Sequence, residues 1–393
     1  MTSLLKSELK AAGLGKAANT QQWMEADAWP EDLQMAGSGP RSLPCDSLDL
    51  LRLAAAVNEM FHLHEAHDEL GLLSAGTFGD WLDSIERAWA AGGGRVTFMT
   101  SGSTGRPTPC THDFSHLQAE IRYLAQVFAD RTRMVPFTPA HHIYGFLFTA
   151  MLPDQLGCEA VAVADAGAGG PAQELRSGDL VVSFPDRWQW LDRTIAQWPK
   201  GVAGVVSTAP CPPDLLGSLI GRGLESITEV YGSSETAGIG LRRWPETRYR
   251  FMPFWTLETV DSEGTLLRHD SGLQVRLKDR LELHGDGSFT PTGRIDAAVQ
   301  VGGMNVYPAR IAALFREQPG VREVVVRLSK FEEGGRLKAY VVPETGSSPA
   351  ELEGQLLLWM GDTFSAAEQP KSFTFGDALP KDQMGKDCDW HVV

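Results

Sequence analysis

Three textures of hydrophobic and polar patterning divide the chain. Over residues 1–92 apolar positions recur at helical spacing. In SLDLLRLAAAVNEMFHL, Leu50, Leu51, Leu53, Ala54, Val57, Met60 and Phe61 fall near one face of a 3.6-residue period. Ser47 is placed to start that helix, with Asp49 in its first turn. An acidic stretch, HEAHDEL, follows. A second helix is predicted in TFGDWLDSIERAWAA, where Phe78, Trp81, Leu82, Ile85 and Ala88 line one face and Thr77 can cap. The AGGG of residues 91–94 marks a boundary.

Residues 95–293 alternate short β-like runs with helical patterns. RVTFMT, EAVAVA, DLVVSF and GVAGVVST read as strands, and HLQAEIRYLAQVFA and DLLGSLIGRGL as helices. That alternation predicts an α/β class with layered helices and a largely parallel sheet. The apolar run GFLFTAML after Tyr144 suits a buried element. Residues 294–393 read as a smaller α+β unit, with VREVVVRLS and LKAYVVPE as strands and YPARIAALFREQ and AELEGQLLLWMGDTF as helices.

Composition narrows the function classes. A chain of 393 residues is long enough for two to three domains. A net charge of −15 argues against a surface built to grip nucleic acid or an anionic membrane, but leaves room for a small basic pocket around a phosphate-bearing ligand. No run reaches the ~18 apolar residues of a membrane span, and MTSLLKSELKAAGLGKAANT has no long apolar core of a signal peptide. The 5 cysteines are odd in number and show no metal-ligand spacing. The expectation is a cytoplasmic protein with reduced thiols.

The first chemical signal is Phe98-Met-Thr-Ser-Gly-Ser-Thr-Gly-Arg-Pro107, a β-like run ending in glycines and hydroxyls. Glycines let backbone N–H groups close around an anion, and hydroxyls donate further hydrogen bonds. It is not a Walker A loop, since G-x-x-x-x-G-K-[ST] is absent. Taken alone it could be a plain Gly/Ser turn. It nevertheless resembles the phosphate-binding signature TSGSTGxPK of the adenylate-forming superfamily, which includes acyl- and aryl-CoA synthetases. Thr100, Ser101, Gly102, Ser103, Thr104 and Gly105 match, and His112 follows, but Thr108 stands where the signature has lysine.

Other motifs follow in the family's order. Tyr231-Gly232-Ser233-Ser234-Glu235 resembles YGxTE, which implies Tyr231 on adenine, Ser234 at the α-phosphate and Glu235 on Mg²⁺. Asp279 resembles the acid that binds the ribose hydroxyls, although the usual TGD is not written out. Gly293-Arg294-Ile295-Asp296 and the VGGMNVYPARI after it resemble the hinge segment, with Arg294 toward the nucleotide and Asp296 at the hinge. Gln300 and Arg310 depart from the usual Lys and Glu there. Leu379 to Lys386 resembles PKxxxGK, which implies Lys386 at the reacting carboxylate and α-phosphate.

At the substrate end, Pro139-Ala-His-His-Ile-Tyr-Gly145 resembles the segment bordering the acyl pocket, with His142 as the matching histidine. Ser207-Thr208-Ala209-Pro210 resembles GGAP, with bulkier residues replacing the glycines. Ser207 and Thr208 in place of glycines would narrow the tunnel, which Ala209 also lines, and no Asp stands near the histidine segment to anchor an α-amine. A small aromatic or unsaturated acid is therefore expected.

Family members usually carry well over a hundred residues before the phosphate loop, which here begins at Thr100. In their place Asp46-Ser47-Leu48 and its flanking helices resemble an acyl carrier protein, whose DSL serine takes phosphopantetheine. The resemblance thus implies three parts: a helical carrier-like segment at 1–92, a trimmed adenylation core at 95–293 and a mobile C-terminal domain at 294–393. It implies ATP- and Mg²⁺-dependent activation of a small carboxylic acid, then transfer to a pantetheine thiol of CoA or of a carrier protein. An amine acceptor, or a degenerate nucleotide-binding or carrier-docking protein without turnover, is the alternative.

Overall fold

The computed structural model describes the chain except residues 15–19, 27, 67–70, 92–93, 102–106, 162–169, 262, 331–332, 382–387 and 392–393, and the side chains of Ser101 and Pro107. The strands are β1 (Arg95–Ser101), β2 (Pro107–Asp113), β3 (Arg133–Pro136), β4 (Glu159–Ala160), β5 (Asp179–Ser183), β6 (Ala203–Val206), β7 (Ser226–Ser233), β8 (Ala237–Arg243), β9 (Tyr249–Phe251), β10 (Trp255–Asp261), β11 (Gly264–His269), β12 (Gln274–Arg276), β13 (Asp279–Leu283), β14 (Ser288–Arg294), β15 (Val299–Val301), β16 (Met304–Val306), β17 (Val321–Leu328), β18 (Leu337–Pro343) and β19 (Ser372–Phe375).

Nine of them form one sheet, in the order β13-β14-β9-β8-β7-β6-β5-β3-β4. The expectation of a largely parallel sheet holds only from β4 to β7. Beyond β7 every pairing is antiparallel. The physical reason lies in the connections. Helices long enough to cross over, such as Pro185–Thr194 and Pro213–Gly221, precede β6 and β7, whereas only short turns separate β7, β8 and β9. β1 does not join this sheet. It forms a hairpin with β2, and residues 102–106 lie between them.

β5 and β6 are buried along their whole length, as a two-faced sheet requires. One face packs on Trp188, Leu191, Trp198, Leu216 and Leu219. The other belongs to a large core that includes Phe98, Phe146, Phe148, Ile239 and Phe289. That same core takes in Leu5, Leu53, Val57, Phe61, Trp81 and Ile85, so the N-terminal helices share one interior with the α/β core. The C-terminal part closes a separate core around Val301, Ile311, Phe315, Val324, Val341 and Leu356.

The N-terminal helices form as patterned, with two differences. The helix Ser47–Phe61 buries Leu53, Ala54, Val57, Met60 and Phe61, but Leu51 faces solvent, since it falls off the 3.6-residue stripe those five define. Its cap is Asp46 rather than Ser47. The Asp46 carboxylate accepts from the Leu48 and Asp49 amides, both at 2.8 Å, and Asp49 reaches back to complete a capping box. Thr77 caps Phe78–Ala90 as expected. The GFLFTAML run lies in a helical stretch over Ile143–Leu156, one turn of which widens to a π-helix, and all of it but Thr149 and Ala150 is buried.

Arg133 and Asp179 tie β3 to β5 inside this fold. The guanidinium donates to both carboxylate oxygens, at 2.7 and 2.6 Å, and the Asp179 side chain is fully buried. Removing one member of such a pair strands the other charge, at a cost of about 3–5 kcal/mol. Asp179→Ala is therefore expected to lose that much stability in urea unfolding, while Leu358→Ala, on an exposed helix face, should change it little.

Candidate active site

The motif residues gather at the carboxyl ends of the parallel strands, where open α/β sheets bind ligands. Tyr144, buried in the core, donates its hydroxyl to the Ser183 and Val205 carbonyls at the ends of β5 and β6, at 3.2 and 3.0 Å. Ser207, just past β6, donates to the Val230 carbonyl at 2.9 Å. Thr208 follows in a left-handed conformation with φ +79°, a region costly for a β-branched residue. It occupies a position where the resembling motif has glycine, and its exposed side chain faces the β15–β16 hairpin. A Cβ added to Gly303 of that hairpin would lie 3.0 Å from Thr208 Oγ1, so the turn approaches closely because it is glycine. Ala209 beside it is half-buried and His142 exposed, its ring 4.5 Å from His141.

From the end of β7 a chain of polar contacts crosses to the C-terminal part. Tyr231 donates its hydroxyl to Asp279 at 2.6 Å. Asp279 and Arg294 are cross-strand partners in the β13–β14 register, with their charged ends 3.7 Å apart. Arg294 in turn grips Asp296 through two hydrogen bonds, of 2.7 and 2.6 Å. That bidentate grip holds the Asp296 carboxyl below its usual range. Burial and the neighbouring Asp279 carboxylate push the Tyr231 hydroxyl far above its usual range, so it stays protonated and donates. Ala297, the next residue after Asp296, takes φ +55°. Tyr307, just after the hairpin, reaches Asp296 at 3.4 Å.

The turn after β7 presents the second half of the site. Glu235 accepts from Lys278 Nζ at 2.7 Å. Burial alone would raise the Glu235 carboxyl; the Lys278 hydrogen bond and charge outweigh it and leave the group lowered. The Ser234 carbonyl accepts from Cys110 Sγ at 3.0 Å and His112 Nε2 at 2.6 Å, which fastens β2 to this turn. Burial, with Glu235 close by, pushes the Cys110 thiol up to about 11, so it is a neutral packing group. Gly232 is exposed at the mouth. Glu235 fits a magnesium ion: the ion commonly takes one or two carboxylates and completes its shell with substrate phosphates and water.

Of the phosphate loop, Thr100 donates to the Thr108 carbonyl at 3.2 Å. Gly102, Ser103, Thr104 and Gly105 lie outside the described residues, as do the Ser101 side chain and Lys386. The chain on either side of Lys386 is described: Cys388 N–H donates to the Pro380 carbonyl at 3.1 Å. Just beyond, Asp389 and the Trp390 carbonyl hold the fully buried Lys338 ammonium, at 3.1 and 2.5 Å. Four residues at the site, Lys278, Tyr307, Cys110 and Glu120, belong to no motif position singled out in the sequence. Lys278 had one visible signal, its place directly before Asp279.

Ser47 is exposed at the first turn of its helix. The helix behind it is part of the large core, so the N-terminal helices are not a free-standing bundle: their apolar face is spent on packing against the α/β core. Among the described residues, one cluster has metal-ligand geometry: His62, His64 and Glu65. Glu65 is already committed to Arg95, and His62 to Thr97 at 2.7 Å, so the cluster reads as a polar tie to β1. A cavity lined by Asp130, Arg131, Ser226 and Arg243 lies at the opposite, amino ends of β6 and β7. No helix among the described residues is long and apolar enough to cross a membrane.

Comparison with known proteins defines the class. The model of the AMP-binding enzyme C-terminal domain matches residues 311–386. The chain is 36% identical over 342 residues to a 4-coumarate–CoA ligase of Halorhodospira halophila, covering 87% of each protein. It is 37% identical over 357 residues to the Rhodobacter capsulatus enzyme of the same name, covering 88% of this chain and 89% of that one. The amide bond synthetase McbA of Marinactinospora thermotolerans has the same fold, with a TM-score of 0.59 at 17% identity, covering 98% of this chain and 92% of that one. The chain belongs to the adenylate-forming CoA-ligase family and is an enzyme of that class. An alignment over 87% of the chain necessarily includes part of residues 1–92, so the sequence similarity extends into the N-terminal region.

Glu120 supports the Glu235 turn from behind. It is fully buried, accepts from the Gly238 amide at 2.8 Å, and burial raises its carboxyl to about 7. The folded state then holds a proton that the unfolded chain has released, between pH about 4.5 and about 7, so this group's contribution to stability is lost as pH rises through that window. Glu120→Gln removes the titration. It is expected to be more stable than wild type at pH 8, by up to about 3 kcal/mol, with the gap shrinking toward pH 4.5 in parallel urea titrations.

Proposed function

We propose that this chain activates a small aromatic or unsaturated carboxylic acid, a hydroxycinnamate in the first instance, as its acyl-adenylate and passes the acyl group to the thiol of coenzyme A. The observation that carries this reading is the unbroken chain Tyr231–Asp279–Arg294–Asp296. It aligns an aromatic face, a ribose-binding carboxylate and a guanidinium across the junction with the C-terminal part. The substrate class draws on the relatives, which are 4-coumarate–CoA ligases matched over nearly their whole length, and on Thr208 narrowing the pocket.

In this reading the acid's carboxylate oxygen attacks the α-phosphorus of ATP. The bond to the β-phosphate oxygen breaks, and its electron pair leaves with pyrophosphate. Thr100, Ser101, Gly102, Ser103, Thr104 and Gly105 surround the departing phosphates. Tyr231 and Gly232 border the adenine, Asp279 takes the ribose hydroxyls and Ser234 faces the α-phosphate. Glu235 would hold Mg²⁺, which supplies charge neutralisation on the phosphates. Lys386 neutralises charge developing at the reacting carboxylate and phosphate. On the described chain either side of it, Cys388 N–H donates to the Pro380 carbonyl and Lys338 holds the Trp390 carbonyl. His142, Thr208 and Ala209 border the acyl group. The thiolate of CoA then attacks the acyl carbonyl, and AMP leaves. The Gly302-Gly303 hairpin against Thr208 and Asp186 supports a closed passage to that carbonyl, from which water is excluded. Asp296, followed by Ala297 at positive φ, is the hinge. The pantetheine of a carrier protein offers the same thiol chemistry and is the competing acceptor.

The test is acid-dependent pyrophosphate release with Mg-ATP, across cinnamic, benzoic, short aliphatic and amino acids. Release with 4-coumarate or a close analogue, loss of release on chelating Mg²⁺, and thioester formation with free CoA are expected. Lys386→Ala should lower the adenylation rate by about 100- to 1,000-fold, the scale of losing a group that stabilises transition-state charge. Silence across the panel with ATP still bound sinks the proposal; thioester formation only on a carrier protein replaces the acceptor.

A further inference from the structure

Lys278 is a cation at the nucleotide end of the site, at a position the family signature does not assign, and the phosphate loop lacks its signature lysine at position 108. We propose that Lys278 supplies from the β13 side the phosphate-binding cation that Thr108 cannot. This inference rests on the adenylation reading above.

Strand alternation along β2 relates position 108 to the turn that Lys278 reaches. Alternate residues of a strand share a face. Cys110 and His112 both bond the Ser234 carbonyl, so position 108 lies on the face turned to the Ser234–Glu235 turn, one step nearer the phosphate loop. A lysine there would run toward Glu235, while threonine is too short. Lys278 arrives at the same carboxylate from the opposite side, with Nζ 2.7 Å from Glu235 Oε1.

The pair is not built for stability. Its side chains are 56% and 42% exposed, and exposed ion pairs contribute about 0–1 kcal/mol. Such a lysine can leave its carboxylate at little cost. Its other charged neighbours are Arg294 and Asp296, with the Tyr307 hydroxyl also close. In a chain of net charge −15, a tetra-anionic nucleotide needs fixed local cations. Without nucleotide, Lys278 neutralises Glu235. With nucleotide bound, Nζ turns to the β- and γ-phosphate oxygens and frees the Glu235 carboxylate for the metal. The lysine stays protonated throughout and donates hydrogen bonds to the pyrophosphate as it departs; no proton is transferred.

The experiment measures ATP and AMP binding by calorimetry with Mg²⁺ and no acid, alongside acid-dependent pyrophosphate release, for wild type, K278A, K278Q, K278R and K278A/T108K. Urea midpoints confirm folding of each. K278A and K278Q are expected to weaken ATP about 10- to 100-fold, the scale of charge-assisted hydrogen bonds, with AMP affinity within about threefold of wild type. K278R should retain most ATP affinity, and T108K should restore it in the K278A background. Unchanged ATP affinity, equal loss of ATP and AMP, or failure of T108K to restore binding overturns the assignment. If wild type binds ATP but no acid releases pyrophosphate, the adenylation reading fails, and the ATP/AMP contrast still decides the role of Lys278.

Discussion

Strand β7 is where the nine-stranded sheet changes from parallel to antiparallel, and the candidate site depends on that reversal. Parallel strands β5 and β6 end at Ser183 and Val206 and deliver their loops to one edge. β7 runs the same way and ends at that edge too, so Tyr231 and the Glu235 turn arrive beside Thr208. The chain then returns along β8, and the antiparallel extension through β9 and β14 reaches β13, whose first residue, Asp279, accepts from the Tyr231 hydroxyl. Only there can Asp279 meet both Tyr231 and Arg294. A sheet parallel throughout would have needed further crossovers and would have carried those residues elsewhere.

Electrostatics at this edge are local. The chain is acidic as a whole, yet the site pairs each carboxylate with a specific donor: Asp279 with Tyr231, Asp296 with Arg294, Glu235 with Lys278. The Arg294 and Lys278 partners hold the Asp296 and Glu235 carboxyls below their usual range. Deeper in, Glu120 and His116 follow the opposite rule. Burial without an ionic partner favours their neutral forms, with His116 pushed down to about 3.

Backbone conformation adds a second constraint. Thr208 and Ala297 both take positive φ, one facing the β15–β16 hairpin and the other directly after Asp296. The motif comparison explains the first: a glycine position carries threonine, and the fold keeps the glycine conformation. The close approach of Gly303 then requires the opposite choice on the facing hairpin. Side-chain bulk removed from one side of the passage is supplied by the other.

Much of this was legible in one dimension. Local rules determined the helix stripes of residues 47–61 and 78–90, the Thr77 cap and the buried β5 and β6 runs, because periodicity and capping act within a few residues. Motif order along the chain marked Tyr231, Glu235, Asp279, Arg294 and Asp296, since each is defined by its immediate neighbours. Tertiary structure decided the rest. The direction of strands beyond β7 depends on how short turns compete with crossovers. The N-terminal helices joined the main core because their apolar faces had a larger partner than one another. Lys278 gained its meaning only when β13 and the Glu235 turn met, for a salt bridge spanning 43 residues leaves no pattern in the chain that local chemistry could read.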